Sequence, residues 1–165
     1  MPNEELQLAK MLLELKAKSS KGLPWNEDER GAIKLCFEKR GGIGVLAACC
    51  ILSSERPKGC STALDIVREA IEGEEPPPYV ELSIYEALIY VEPDHLVPFY
   101  DAILRFIERS LMKRAVNLDN TIYLLGKLAR PGDVRALALL RTLAHDSEPG
   151  IRDNASLVLR GVGDH

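Results

Sequence analysis

A chain of 165 residues with 46% hydrophobic and 28% charged residues can bury a core without covalent staples and is too apolar to stay unfolded. Only 5% of its residues are aromatic, whereas Leu and Ala abound, which favours helices packed through aliphatic ridges over sheets. The net charge of -4 sets the chain as a whole against phosphate backbones; residues 1–100 hold 11 Lys+Arg against 17 Asp+Glu, and residues 101–165 hold 10 against 8, a weakly basic third but no polybasic arm.

Helical periodicity sets in at the start. Asn3 caps a helix over 4–18 that carries Leu8, Leu12 and Leu15 on one stripe. After Gly22-Leu23-Pro24, Asn26 caps a second helix, and Glu27, Asp28 and Glu29 in its first turn suit the helix dipole. It runs through Ile33, Cys36 and Phe37 to Arg40 and ends at Gly41-Gly42, which break it. The next helix, 43–53, is apolar nearly all round and therefore belongs at a centre. Ser61 and Thr62 open a helix to Ile71, ending at Gly73; Glu74-Glu75-Pro76-Pro77-Pro78 is a connector whose last proline starts the helix 78–91.

Glu92-Pro93-Asp94 breaks the chain again, ahead of a helix from Pro98 to Leu111 and one from Leu118 to Ala129 behind Asn117. Pro131-Gly132-Asp133 stops that helix and caps another reaching His145. Ser147-Glu148-Pro149-Gly150 turns into the last, 151–160. No useful stretch alternates with period two, so no strand is expected.

The helices recur with a period. After the N-terminal helix they pair as 27–53, 61–91, 98–129 and 133–161, all within a single domain over 1–165. The first members open at Glu27, Ser61, Pro98 and Asp133, at intervals of 34, 37 and 35 residues. Leu52, Leu88, Leu125 and Leu159, in the second members, recur at 36, 37 and 34. Two landmarks with a common spacing of this length point to stacked helical hairpins. Leu118-Asp119-Asn120 is echoed by Arg152-Asp153-Asn154.

The segment 139–161 carries a fuller pattern: leucines on one helix, Asp146 and Pro149 in the turn, Ile151-Arg152 opening the next helix, then Ala155, Leu159 and Gly161. In that order these residues resemble a HEAT repeat. Residues 61–130 match less closely, and residues 1–60 share little beyond their apolar pattern. The resemblance implies a HEAT-like (armadillo-type) all-α right-handed superhelix of about four hairpins plus the N-terminal helix. It also implies stacking roles for Asp146 and Arg152 and a concave binding face.

On the second helices, the residues opposite the apolar stripes are the candidate partner-binding set. Helix 78–91 turns Val80, Ile84, Ala87 and Val91 inward and offers Tyr79, Ser83, Glu86 and Tyr90. Helix 118–129 turns Leu118, Ile122 and Leu125 inward and offers Asn120, Tyr123 and Lys127, with Asn154 and Arg160 placed alike on the last helix. Tyr and Arg dominate binding hot spots, so a protein partner is expected, in an adaptor or inhibitor role. The acidic run Glu69, Glu72, Glu74, Glu75, Glu81, Glu86 and Glu92 suggests that this partner is basic.

Catalysis finds little to rest on. His145 stands beside Asp146 at a helix C-terminus, where the dipole welcomes its charge; His95 lies in a turn, and His165 is terminal. None belongs to a metal-binding pair. Gly41-Gly42-Ile43-Gly44 lacks the strand and the Gly-Lys-Ser/Thr end of a phosphate loop. Cys36, Cys49, Cys50 and Cys60 contain no Cys-x-x-Cys, which leaves no zinc site and predicts buried thiols in a reducing cytoplasm. No catalytic residue, cofactor or metal is expected. The acidic N-terminus lacks a signal-peptide layout, and no apolar run reaches the roughly 20 residues of a membrane span.

Two alternatives stay open on the resemblance. Some HEAT-like proteins are DNA glycosylases, a reading that the stripe Arg105, Arg109 and Lys113, continued by Arg114, admits and the overall acidity opposes. Others are tetrapyrrole lyase subunits, which here rests on fold alone.

Overall fold

The computed structural model describes residues 2–39, 41–54, 61–73, 76–113, 118–129 and 132–163. Among them the regular structure is helical throughout, with no strand. The helices group into two compact units, Met1–Val91 and Glu92–His165.

In the first unit α1 (Pro2–Ser20), α2 (Glu27–Glu38), α3 (Gly41–Ser54), α4 (Ser61–Glu72) and α5 (Pro78–Tyr90) follow one another. The expectation that the third helix is central holds, because α3 packs against α1, α2, α4 and α5. An apolar surface on every side of Leu46, Ala47, Ala48, Cys49 and Leu52, all buried, leaves a helix no stable place but the middle. α3 begins two residues earlier than its apolar run, at Gly41, which takes φ +68°, a conformation glycine adopts without strain.

α2 starts with a capping box. The Asn26 side chain accepts from the Glu29 amide at 2.8 Å, and the Glu29 carboxylate accepts from the Asn26 amide at 2.9 Å. Lys18 adds a 2.7 Å ion pair to Glu29, and these donors hold the Glu29 carboxyl below the usual range, the Asn26 amide first among them. Trp25, buried between α1 and α2 in the chain, donates its indole N–H to the Leu15 carbonyl at 2.8 Å. The Cys50 thiol donates to the Leu12 carbonyl at 3.3 Å, pinning α1 on α3.

The second unit holds α6 (Pro93–Leu96), a 3-10 turn (Val97–Phe99), α7 (Tyr100–Lys113), α8 (Leu118–Ala129), α9 (Val134–Leu143) and α10 (Pro149–Gly161). The break expected at Glu92-Pro93-Asp94 is there, with Val91 and Glu92 extended, but a short helix opens directly at Pro93, which fits a first-turn position where no N–H is needed, and α7 itself begins at Tyr100 where Pro98 was expected. α8 is the packing hub, touching α6, α7, α9 and α10. Asp133 caps α9 as expected, accepting from the amides of Arg135 and Ala136 at 2.9 and 3.0 Å. Gly126 of α8 lies under Val158 of α10; a Cβ there would overlap Val158 Cγ1, so a side chain is excluded by the close approach of the two helices.

Each landmark leucine is buried: Leu52, Leu88, Leu125 and Leu159. Two polar contacts in the second unit join residues about one period apart. Asp101 of α7 pairs with Arg135 of α9, and Asn154 of α10 donates to Asp119 of α8 at 2.6 Å. Arg152 stands exposed, its nearest ion-pair partner being the adjacent Asp153 at 3.9 Å.

Candidate helix faces and an acidic groove

On α5 the inward stripe is as expected, with Val80, Ile84, Ala87 and Val91 all buried. The opposite face departs from expectation. Tyr79 and Tyr90 are 47% and 54% exposed, but Ser83 between them is buried, as are Glu81 and Tyr85. Ser83 donates to the Tyr79 carbonyl at 3.0 Å and accepts from Lys16 at 3.3 Å; the same ammonium pairs with Glu86. Lys16 therefore converts the middle of this face into an attachment for α1. Nothing in the pattern of helix 78–91 alone reveals that, because the partner stands 67 residues away. Glu86 remains half-buried.

On α8, Ile122 and Leu125 are buried and Leu118 half-buried, while Tyr123 is 53% exposed and Asn120 and Lys127 are half-buried. On α10, Asn154 and Arg160 are exposed, Asn154 being engaged by Asp119. Tyr79, Glu86 and Tyr90 thus belong to the first unit, and Asn120, Tyr123, Lys127, Asn154 and Arg160 to the second.

The acidic run is not one surface. Glu81 is buried, Glu86 is paired with Lys16, and Glu72 is bound by Arg68 at 3.1 Å; Glu74 and Glu75 lie outside the described residues. Glu69 instead borders a groove of about 590 Å³ in the first unit, together with Glu38 and Asp65. Residues 27 apart in sequence meet there, Glu38 and Asp65, which an argument from consecutive charges could not have joined.

Arg105, Arg109 and Lys113 are exposed on α7, with the Arg109 guanidinium 5.9 Å from the Phe106 ring centre; Arg114 lies outside the described residues. Asp101, on the same helix, pairs with Arg135 of α9.

The thiols of Cys36, Cys49 and Cys50 are buried and take part in no disulfide. Burial pushes the Cys50 thiol up to about 12 against the opposing charge of Lys16, and pushes Cys49 up further, the adjacent Cys50 adding to it. Neither is a nucleophile at neutral pH. Cys60 and His165 lie outside the described residues; His145 is exposed just beyond α9, its amide donating to the Thr142 carbonyl at 3.1 Å. No cluster of three or more His, Cys, Asp or Glu able to hold a metal occurs among the described residues, and no described helix is long and apolar enough to cross a membrane. No protein-family model, curated protein or solved structure matches the chain.

Proposed function

We propose that this chain is a HEAT-like helical repeat protein of the cytoplasm that binds a basic protein partner as an adaptor or inhibitor, without a cofactor. The supporting observation is the exposure of Tyr79, Tyr90 and Tyr123, each about half accessible on a helix otherwise committed to the core. A tyrosine so placed offers a rigid, amphipathic ring at small entropic cost, which is why such residues recur among binding hot spots. Glu86, Asn120, Lys127, Asn154 and Arg160, on the same second-of-pair helices, complete the candidate set. The one-period contacts Asp101–Arg135 and Asp119–Asn154 favour stacked repeats, because equivalent positions of successive hairpins meet only when the hairpins lie side by side. Buried thiols without disulfides favour a reducing compartment.

The test is capture of a complex from the native lysate with wild-type chain and with Tyr90→Ala plus Tyr123→Ala. Loss of the recovered complex, on the order of tenfold or more, is expected if both rings are anchors. A complex held equally well by the double variant removes these helix faces from the binding surface.

A further inference from the structure

The groove of about 590 Å³ lies among α2, the start of α3 and α4, away from Tyr79 and Tyr90. Its walls are the half-buried side chains of Phe37, Val45, Ile66 and Ala70. Gly41 and Gly44 contribute backbone only, and a Cβ on Gly41 would meet nothing within 4 Å, so α3 leaves the space open where it begins. Exposed Thr62 and the exposed carboxylates of Glu38, Asp65 and Glu69 complete the lining, which contains no described basic residue. Among the described residues none of the three carboxylates forms an ion pair.

An apolar centre with a charged rim is the anatomy of a protein interface, and unpaired carboxylates around it set the sign of what enters. We propose that this groove docks a segment of a basic protein, with an aliphatic or aromatic side chain seated against Phe37, Val45, Ile66 and Ala70. Lys or Arg residues flanking that anchor meet Glu38, Asp65 and Glu69. The volume falls within the roughly 300–1,000 Å³ of pockets that enclose a drug-sized group, which is room for such an anchor. A purely apolar occupant would leave three carboxylates unanswered, and a phosphate backbone would be repelled by them. The proposal shares with the functional reading a basic protein partner, but assigns it a different surface.

The experiment uses the full chain and a fluorescein-labelled synthetic helix of Leu and Lys, with binding followed by fluorescence anisotropy at about physiological salt. Asp65→Lys plus Glu69→Lys is expected to weaken binding about tenfold or more, since attraction becomes repulsion at two contacts. Glu5→Lys plus Glu14→Lys, the same charge change on exposed positions of α1, is expected to alter it by less than about threefold. Ala70→Phe fills the groove with the carboxylates intact and is expected to weaken binding as well, with circular dichroism confirming that the fold is kept. Equal losses in the two charge-reversal pairs, full binding by the groove variants, or no saturable binding by the wild type would overturn the proposal. Tyr90→Ala plus Tyr123→Ala is expected to bind the peptide normally. If instead that variant loses the peptide while the groove variants keep it, the groove is excluded and the helix-face reading stands; a native complex untouched by the tyrosine substitutions, with peptide lost from the groove variants, gives the reverse.

Discussion

Gly126 shows how a single atom decides a helix contact. Alanine is the better helix former by about 1 kcal/mol, so Gly126→Ala on an open helix would stabilise. Here the added methyl meets Val158, whose β-branched side chain has little rotamer freedom to retreat. Overpacking is expected to outweigh propensity and cost about 1–3 kcal/mol, measured by denaturant unfolding. Val158→Ala in the same chain should recover most of that loss, and a double-variant cycle that comes out additive would show the two residues to be independent. The cysteines carry a second consequence at this scale. Unfolded thiols ionise near 9.0, whereas Cys50 in the folded chain holds its proton to about 12. The folded pKa is the higher one, so the stability contributed by the neutral buried thiol is whole below pH 9.0 and is lost as pH rises toward 12. Each linked thiol removes up to about 1.4 kcal/mol per pH unit in that window. The alkaline fall in unfolding midpoint should be shallower in Cys49→Ala plus Cys50→Ala than in the wild type, and parallel slopes would show that other groups govern it.

The starts of α2 and α9 were legible because capping is local chemistry, whereas α1 begins at Pro2, ahead of the Asn3 expected to cap it, and α10 begins at Pro149, inside the expected turn. Asn26 with Glu29, and Asp133 ahead of α9, satisfy amides two or three residues away, so short windows of sequence contain both donor and acceptor. Asp133→Ala is expected to cost about 0.5–2 kcal/mol and to shorten α9 from its N-terminus, seen as faster amide exchange at Arg135 and Ala136. Unchanged exchange there would mean that packing alone holds the first turn. Central burial was legible too: an all-apolar helix such as α3 has one stable environment. The outer face of α5 was not. Its polar residues are at helical spacing for exposure, yet Ser83 is covered because α1 returns to it through Lys16. Which neighbour covers a face is a long-range matter, and no periodicity within the helix encodes it.

For the chain as a whole, the recurring leucines offer the broadest test. Leu52, Leu88 and Leu125 are 1%, 0% and 0% exposed, and Leu159 is 8% exposed on the last helix. Replacing each with alanine is expected to cost about 2–5 kcal/mol at the first three and least at Leu159, where the site opens to solvent and can relax. Equal losses at all four, or a greatest loss at Leu159, would contradict that order.

The helical class and the caps at Asn26 and Asp133 follow from the residues alone, because each depends on groups within a turn or two of one another or on a pattern of apolar positions. The candidate surfaces divide differently. Exposure of Tyr79, Tyr90 and Tyr123 could be read from helical spacing, but the meeting of Glu38, Asp65 and Glu69 around an apolar hollow could not. Charge adjacent in sequence need not be adjacent in space: the run from Glu69 to Glu92 is broken up by burial and by Arg68 and Lys16, while α2 and α4 bring distant carboxylates to one rim. Only packing decides which side chains share a boundary with water, since that depends on what every other helix has already covered.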